Sequence, residues 1–328
     1  MQRAQNFQLV NRMNKFILIG GAGFIGSHFA QKILEYKEVN LTIIDNEISG
    51  SKDNLLRLNI LSDQNLTYIQ EDIMSLSDKD VNFNNSVVVN FAANPDISLS
   101  NVHPTIDFDR GTLVHNHVLE LCRTGKAKQL IFTSGSGVYG DMSSKVLNEE
   151  LGNLNVCSPY GANKLACEAL SLAYSSMFDL QVRILRFGNV VGLNQTHGVG
   201  FDFIRRLIKD PKKLVVLGDG FQSKPYIFID DVVEALLHVS SLEGKSIIAN
   251  AASPDFISVR EIASIVINEL GLEKCEVEYG NTPYGWKGDV PILRLDSSFI
   301  ESTGWKCKYN SRQAIKASVR DMVRRFTK

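Results

Sequence analysis

The 328-residue chain carries 35 Lys and Arg against 36 Asp and Glu, a formal net charge of −1, with 44% hydrophobic and 22% charged residues. That balance is ordinary for a globular fold and excludes a disordered polyelectrolyte and a broadly basic surface for nucleic acid or anionic membrane. Any anionic ligand must be held by local groups.

The five cysteines (Cys122, Cys157, Cys167, Cys275, Cys307) form no CxxC or CxC pair, and five is odd. Reduced thiols in the core are expected, rather than a disulfide frame or a metal site. No apolar run approaches a membrane span, and "MQRAQNFQLVNRMN" lacks the apolar centre of a signal peptide, so no membrane association and a cytoplasmic location are expected.

Residues 1–14 read as a flexible extension before the fold starts at Lys15. "KFILIG" (15–20) is a branched apolar run closed by glycine, the pattern of a buried parallel strand. A helix over 27–37 follows, with Phe29, Ile33, Leu34 and Tyr36 at helical spacing. Further strands are predicted at 40–45, 66–72, 86–93 and 129–135, with a helix over 112–125 before the last of these. A long helix spans 159–178 and a strand follows it at 180–192. This alternation predicts an α/β fold, a Rossmann-type doubly wound parallel sheet. Residues 15–190 form the dinucleotide-binding domain in this reading, and a segment near 225–250 returns to it. Residues 191–328, less regular, form mainly a smaller substrate-binding lobe over the strand ends.

"GGAGFIG" (20–26) places Gly20, Gly23 and Gly26 between the first strand and a helix. Glycine allows the tight turn and close backbone approach to a pyrophosphate, and the helix N-terminus offers N–H groups and a positive dipole end. Asp45 ends the second strand 19 residues after Gly26. Its carboxylate can accept both ribose hydroxyls and repels a 2′-phosphate, which selects NAD over NADP. "SPYGANK" (158–164) spaces Tyr160 and Lys164 four apart on one helical face, with Ser158 as cap and Pro159 in the first turn. An ammonium beside the phenol is expected to lower its pKa and make it a base near neutral pH.

"GGAGFIG", Asp45, "EDI", "NFAANPD", "FTSGSGVYGD", "SPYGANK" and "LRFGNVVG" occur in the order of the extended short-chain dehydrogenase/reductase family. The chain resembles its NAD-dependent nucleotide-sugar epimerases and dehydratases, from Lys15 to near the C-terminus, and its second half resembles UDP-glucose 4-epimerase-like members. The resemblance implies that Gly20, Gly23, Phe24, Ile25 and Gly26 hold the pyrophosphate of NAD. Asp45 and Asn46 meet the adenosine ribose, Asp72 and Ile73 flank the adenine, and Phe91, Ala92 and Ala93 line the cofactor. Tyr160 is the implied base, and Lys164 its electrostatic partner and a nicotinamide-ribose ligand. Asn189 is an implied contact of a nucleotide-sugar substrate, Lys224 falls where many members put a diphosphate-binding arginine and so carries the diphosphate load, and Asp289 lies near the same nucleotide. Relatives commonly pair through two helices, so a homodimer is expected. His197 is read equally as a substrate contact or a solvated loop residue. His115 and His117, inside a helical pattern, are expected at a surface or an interface.

The departures from the pattern are specific. Where relatives carry the Ser or Thr that binds the sugar 4-hydroxyl, this chain has Gly135. Ser136 is the first candidate for the replacement hydroxyl and Ser134 the weaker one, since on an extended strand end its side chain alternates away from the face of Gly135. Dehydratases carry an Asp-Glu pair where this chain has Ser136 and Gly137, which argues against 4,6-dehydration. Trp286 stands where an arginine often meets the phosphates. The expectation is a UDP-hexose 4-epimerase working through a 4-keto sugar. The alternatives are a 4-keto-sugar reductase, a decarboxylase, or a non-catalytic NAD-binding protein.

Overall fold

The computed structural model describes residues 14–326 apart from 37, 96–98, 101, 144, 153 and 287. The proposed N-terminal extension lies outside the described residues except for Asn14, as do Asp96 and Lys287 of the quoted motifs.

Thirteen strands are formed among the described residues. In chain order β1 is Lys15–Ile19, β2 Asn40–Ile44, β3 Leu66–Ile69, β4 Val87–Asn90, β5 Gln129–Gly135, β6 Gln181–Phe187 and β7 Asn189–Val191. They continue with β8 Lys213–Val216, β9 Ser223–Lys224, β10 Tyr226–Phe228, β11 Ser246–Ala251, β12 Ile257–Ser258 and β13 Glu276–Tyr279. The helices that position the site are α1 (Phe24–Leu34), α2 (Lys52–Arg57), α3 (Leu113–Thr124), α4 (Pro159–Met177), α5 (Val199–Lys209) and α6 (Ile229–Ser241).

Seven strands form one sheet in the order β11-β6-β5-β4-β1-β2-β3, every pair parallel. β1 shows why these short apolar runs become its centre. Phe16 and Leu18 join the core on one face, with Phe29 and Ile33 of α1 and Val232 and Leu236 of α6. Ile17 and Ile19 join the other, with Val118 and Leu119 of α3 and Cys167 of α4. A two-residue side-chain period thus feeds two helical layers, and a continuous apolar run satisfies both.

Register decides where the site lies. Ile19 is level with Ile44 of β2 and with Asn90 of β4. Gly20, Asp45 and Phe91 therefore leave the sheet along one edge. The chain fills β2 and β3 on one side of β1, then returns to β4 on the other. Parallel sheets bind ligands at the carboxyl ends of the strands where this reversal opens a crevice. β5 runs further: Asn90 is level with Phe132, and Thr133, Ser134 and Gly135 continue the pairing with β6. The "TSG" stretch stands above the sheet edge as a wall of the crevice.

The smaller sheets bring later residues over this edge. β7 pairs parallel with β10, β9 antiparallel with β12, and β8 parallel with β13. Asn189 and Lys224 sit on β7 and β9.

His115 corrects the sequence reading. It is fully buried, with Nδ1 2.9 Å from Asn90 Nδ2 and Nε2 2.7 Å from Ser171 Oγ. The amide nitrogen must donate, so Nδ1 accepts and Nε2–H donates to Ser171. Ser171 in turn donates to the Cys167 carbonyl at 2.8 Å. Burial and the charge of Lys164 hold this imidazole down at about 3. His117 is half-buried beside the Leu76 carbonyl. The cysteines divide: Cys122 and Cys167 are buried, Cys275 and Cys307 half-buried, and Cys157 exposed. No cluster of metal-ligating side chains occurs among the described residues.

Candidate active site

A cleft of about 470 Å³ opens at the strand ends, and every residue predicted to work in the site lines it. At one end Gly20 takes φ +72°, and a Cβ there would stand 2.9 Å from the Ala92 backbone nitrogen, so only glycine fits. α1 starts at Phe24 with Gly23 as its cap and no capping side-chain hydrogen bond. Its leading N–H groups face the cleft as donors for an anion.

Asp45 is 6% exposed. Its Oδ2 accepts from Ala22 N–H at 2.9 Å and its Oδ1 from Glu47 N–H at 2.8 Å. Burial raises its pKa, and the two N–H bonds oppose the rise. Each oxygen keeps a lone pair for a ribose hydroxyl. Asn46 donates to Asp72 Oδ2 at 2.9 Å, while Asp72 Oδ1 accepts from Met74 N–H. Asn46 thereby braces Asp72, and the two close this end together with Ile73. A glycine cradle, an uncapped helix start and a half-satisfied carboxylate fit a dinucleotide with two free ribose hydroxyls.

The middle of the cleft holds Tyr160 and Lys164 on α4. Ser158 Oγ accepts from Gly161 N–H at 3.1 Å and Pro159 opens the helix, as the sequence predicts. A Cβ on Gly161 would lie 2.3 Å from the Gly137 carbonyl, so the helix start is pressed against the turn Ser136–Val138. Lys164 is 8% exposed and donates to the Thr133 carbonyl at 2.7 Å. Its Nζ lies 5.8 Å from the centre of the Tyr160 ring.

Here the structure corrects the expected electrostatics. Burial, and then the charge of Asp107, push the Tyr160 phenol up to about 12 rather than down. The ammonium donates to a carbonyl and lies over the phenol ring rather than hydrogen-bonded to its oxygen. Lys164 itself is lowered by burial, opposed by Cys167, Glu168 and Asp107.

A Cβ built on Gly135 would stand 4.0 Å from the Tyr160 hydroxyl and would meet no other atom as close. The space beside the phenol is open. Ser134 is removed as the replacement, because its hydroxyl donates to Glu168 at 2.5 Å. Glu168 in turn holds Arg186 at 2.6 Å, and Arg186 reaches the Tyr139 hydroxyl at 2.9 Å. Ser136, half-buried at the cleft wall, is the remaining serine.

At the far end Asn189 hydrogen-bonds the Tyr226 phenol, which burial raises to about 12. Lys224 does not stand as a lone cation. It pairs with Asp289 at 2.7 Å, and Asp289 also accepts from Gly285 N–H at 3.0 Å. The two residues read as separate substrate contacts are one neutral pair, so the load assigned to Lys224 on a diphosphate is reduced. Trp286 lines the same end, and His197 sits at the rim, 3.3 Å from the Thr196 hydroxyl.

Residues 16–250 match the model of the NAD dependent epimerase/dehydratase family. The chain belongs to this family. A putative UDP-glucose 4-epimerase of Methanocaldococcus jannaschii is 30% identical over 310 residues, covering 92% of this chain and 96% of that one. A solved UDP-galactose 4-epimerase superposes with a TM-score of 0.83 at 29% identity, covering 95% of this chain and 99% of the other. MoeE5, solved in complex with UDP-glucuronic acid and NAD, gives 0.82 at 26% identity over 95% and 99%. NAD is the cofactor, and the cradle from Gly20 to Gly26 with Asp45 fits it. Among the described residues no helix is long and apolar enough to cross a membrane.

Three features escaped the sequence reading. Glu168 follows Tyr160 and Lys164 at the same four-residue interval, which was a usable signal. The Thr133 carbonyl leaves no trace in the sequence. Asp107 sits in "TIDFDRG", which carries no motif.

Proposed function

We propose that the protein is an NAD-dependent 4-epimerase of a nucleotide sugar, a UDP-hexose. The observation that carries this reading is the placement of Tyr160 between two differently built ends of one cleft. One end is fitted to NAD. The other, with Asn189, Lys224 and Asp289, is left for the nucleotide of the substrate. A sugar spanning them lies with a ring carbon over the phenol.

Bound NAD supplies the acceptor, and then the donor, of a hydride. The chain supplies the rest. Tyr160 takes the proton of the sugar 4-hydroxyl and later returns it to the inverted hydroxyl. Lys164, fixed by Thr133, holds a positive charge behind the phenol and can reach the ribose. Ser136, next to Gly135 on the cleft wall, is assigned to hold the reacting oxygen. Binding at the nucleotide end keeps the substrate in place while the hexose turns over, so distant contacts support chemistry at C4. Residues 15–190 act as the cofactor domain and 191–328 mainly as the sugar-nucleotide lobe. The working form is a cytoplasmic homodimer paired through α3 and α4.

The test is incubation with a panel of UDP-hexoses, read by NMR for inversion at C4 and by absorbance for NADH. Inversion with no net NADH supports the reading. Stoichiometric consumption of added NADH with a UDP-4-keto sugar identifies a reductase, and loss of CO₂ from a uronate identifies a decarboxylase.

A further inference from the structure

Behind the Tyr160–Lys164 pair lies a buried carboxylate that the proposed reaction does not use. Asp107 is 2% exposed and precedes the single π-helical turn Phe108–Thr112 that leads into α3. Its Oδ1 accepts from Asn94 Nδ2 at 3.0 Å, and its Oδ2 accepts from the Ser100 hydroxyl. Among the described residues no cation pairs with it. A second, small cavity of about 10 Å³ connects it with Tyr160, Lys164, Asn163 and Cys167.

Burying a carboxylate on neutral donors, two among the described residues, costs stability, and an uncharged side chain of the same shape would hold the same fold. Such a cost is met at functional sites more often than elsewhere. The charged and titratable groups around it narrow what the carboxylate can do. On α4 these are Tyr160, Lys164, Cys167 and Glu168, and Glu168 is bound to Arg186. On α3 His115 is held neutral by Asn90 and Ser171. On its own segment His103, Asp109 and Arg110 are exposed. Burial raises the Cys167 thiol and keeps it neutral, so among the described residues the groups left to feel Asp107 through the small cavity are the phenol and the ammonium.

We propose that Asp107 is a positioning residue that sets the charge balance of the acid–base pair: it holds Lys164 charged and Tyr160 protonated until a further positive charge comes alongside the phenol. The oxidised nicotinamide ring carries such a charge. Tyr160 is raised by burial and then by Asp107, and the same carboxylate supports the ammonium of Lys164 against its burial, which is the direction this role requires. The proposal rests on Tyr160 being the base. Asp107 lines the small cavity and not the main cleft, and acts through the two residues in front of it.

The experiment uses the NAD-loaded protein and Asp107→Asn, which keeps the shape and an acceptor for Asn94. Ionisation of Tyr160 is followed by tyrosinate difference absorbance against Tyr160→Phe, which isolates one of nine tyrosines. Removing the negative charge should lower the Tyr160 midpoint by about one pH unit, the low end of the effect of a close charge. The acid limb of kcat/KM should move to lower pH by the same amount, and Tm should hold or rise. Ser100→Ala keeps the carboxylate and should leave the limb in place. An unchanged midpoint in Asp107→Asn overturns the proposal. So does loss of the fold in both Asp107→Asn and Asp107→Ser, which would make the carboxylate purely structural. If Tyr160→Phe is as active as the parent, the base assignment fails instead, and the absorbance titration still reports on Asp107 separately.

Discussion

Gly135→Ser restores a side chain where the structure leaves room for one. Gly135 is extended, with φ −165° and ψ 170°, a conformation open to any residue, so the substitution carries no backbone strain. The new Cβ would stand 4.0 Å from the Tyr160 hydroxyl with no closer neighbour. One rotamer of its hydroxyl then falls near hydrogen-bond distance of the phenol and of a sugar oxygen bound there. A hydrogen bond to a charged partner is worth about 1.5–3 kcal/mol, or roughly ten- to a hundredfold in rate. In the proposed reading Ser136 supplies that bond in the parent, from the neighbouring position. Ser136→Ala should therefore lower kcat on an unsubstituted UDP-hexose by roughly tenfold or more, and Gly135→Ser in the same chain should recover most of it. Gly135→Ser alone should be neutral or faster on small hexoses and slower on hexoses with bulky substituents, because it fills the space. The assay is initial C4 inversion by NMR across a sugar panel, with kcat separated from KM. If Ser136→Ala, Gly135→Ser and the double variant all match the parent on every sugar, the turn does not hold the reacting oxygen and the sugar lies elsewhere in the cleft.

Three further outcomes are expected. Tyr160→Phe keeps the ring and the fold, so NAD should stay bound while turnover falls by roughly two to four orders of magnitude; near-normal turnover would remove Tyr160 as the base. Asp45→Ala should narrow the preference for NAD over NADP, read as the ratio of binding constants, because it removes both the ribose acceptor and the repulsion of a 2′-phosphate; a parent that binds both equally would show that Asp45 has no such role. His115, held at about 3 against an ordinary 6.5, stays neutral in the fold while the unfolded chain takes up a proton, so its contribution is whole above about pH 6.5 and declines as the pH falls towards 3, by at most about 1.4 kcal/mol per unit. His115→Gln should flatten that decline, and equal losses of denaturant midpoint in both proteins between about pH 7.5 and about pH 5 would refute it.

What could be read in the sequence, and what could not, follows from the reach of each interaction. β1, the glycine turn and the start of α1 are contiguous, and their chemistry is local: branched residues for a strand buried on both faces, then glycine where backbones touch. Tyr160 and Lys164 are one helical turn apart, so α-helical geometry alone places them on one face. The partners of these residues are distant in the chain and carry no spacing rule. Lys224 meets Asp289 across 65 positions and Ser134 meets Glu168 across 34. A polar residue's type tells which bonds it can make, but not whether another part of the protein has already taken them. That is why Lys224 read as a phosphate ligand and stands as half of an ion pair. It is also why Ser134 read as a candidate donor and is held by a buried carboxylate.

The same limit explains the phenol. Proximity of Lys164 to Tyr160 follows from the helix, but the sign of the net effect depends on burial and on Asp107, 53 residues before Tyr160 in the chain. Desolvation opposes the phenolate and the distant carboxylate adds to it, while the lysine spends its shortest contact on the Thr133 carbonyl. The Tyr–Lys pair by itself is therefore an incomplete base. In the role proposed for Asp107, activation comes from the charge that enters the cleft beside the pair, which ties proton transfer at Tyr160 to occupancy of the cofactor end. A protein that only bound NAD would have no need of a buried carboxylate, with no ion-pair partner among the described residues, behind a tyrosine. Asp107 thus weighs on the side of catalysis, independently of the missing hydroxyl at Gly135.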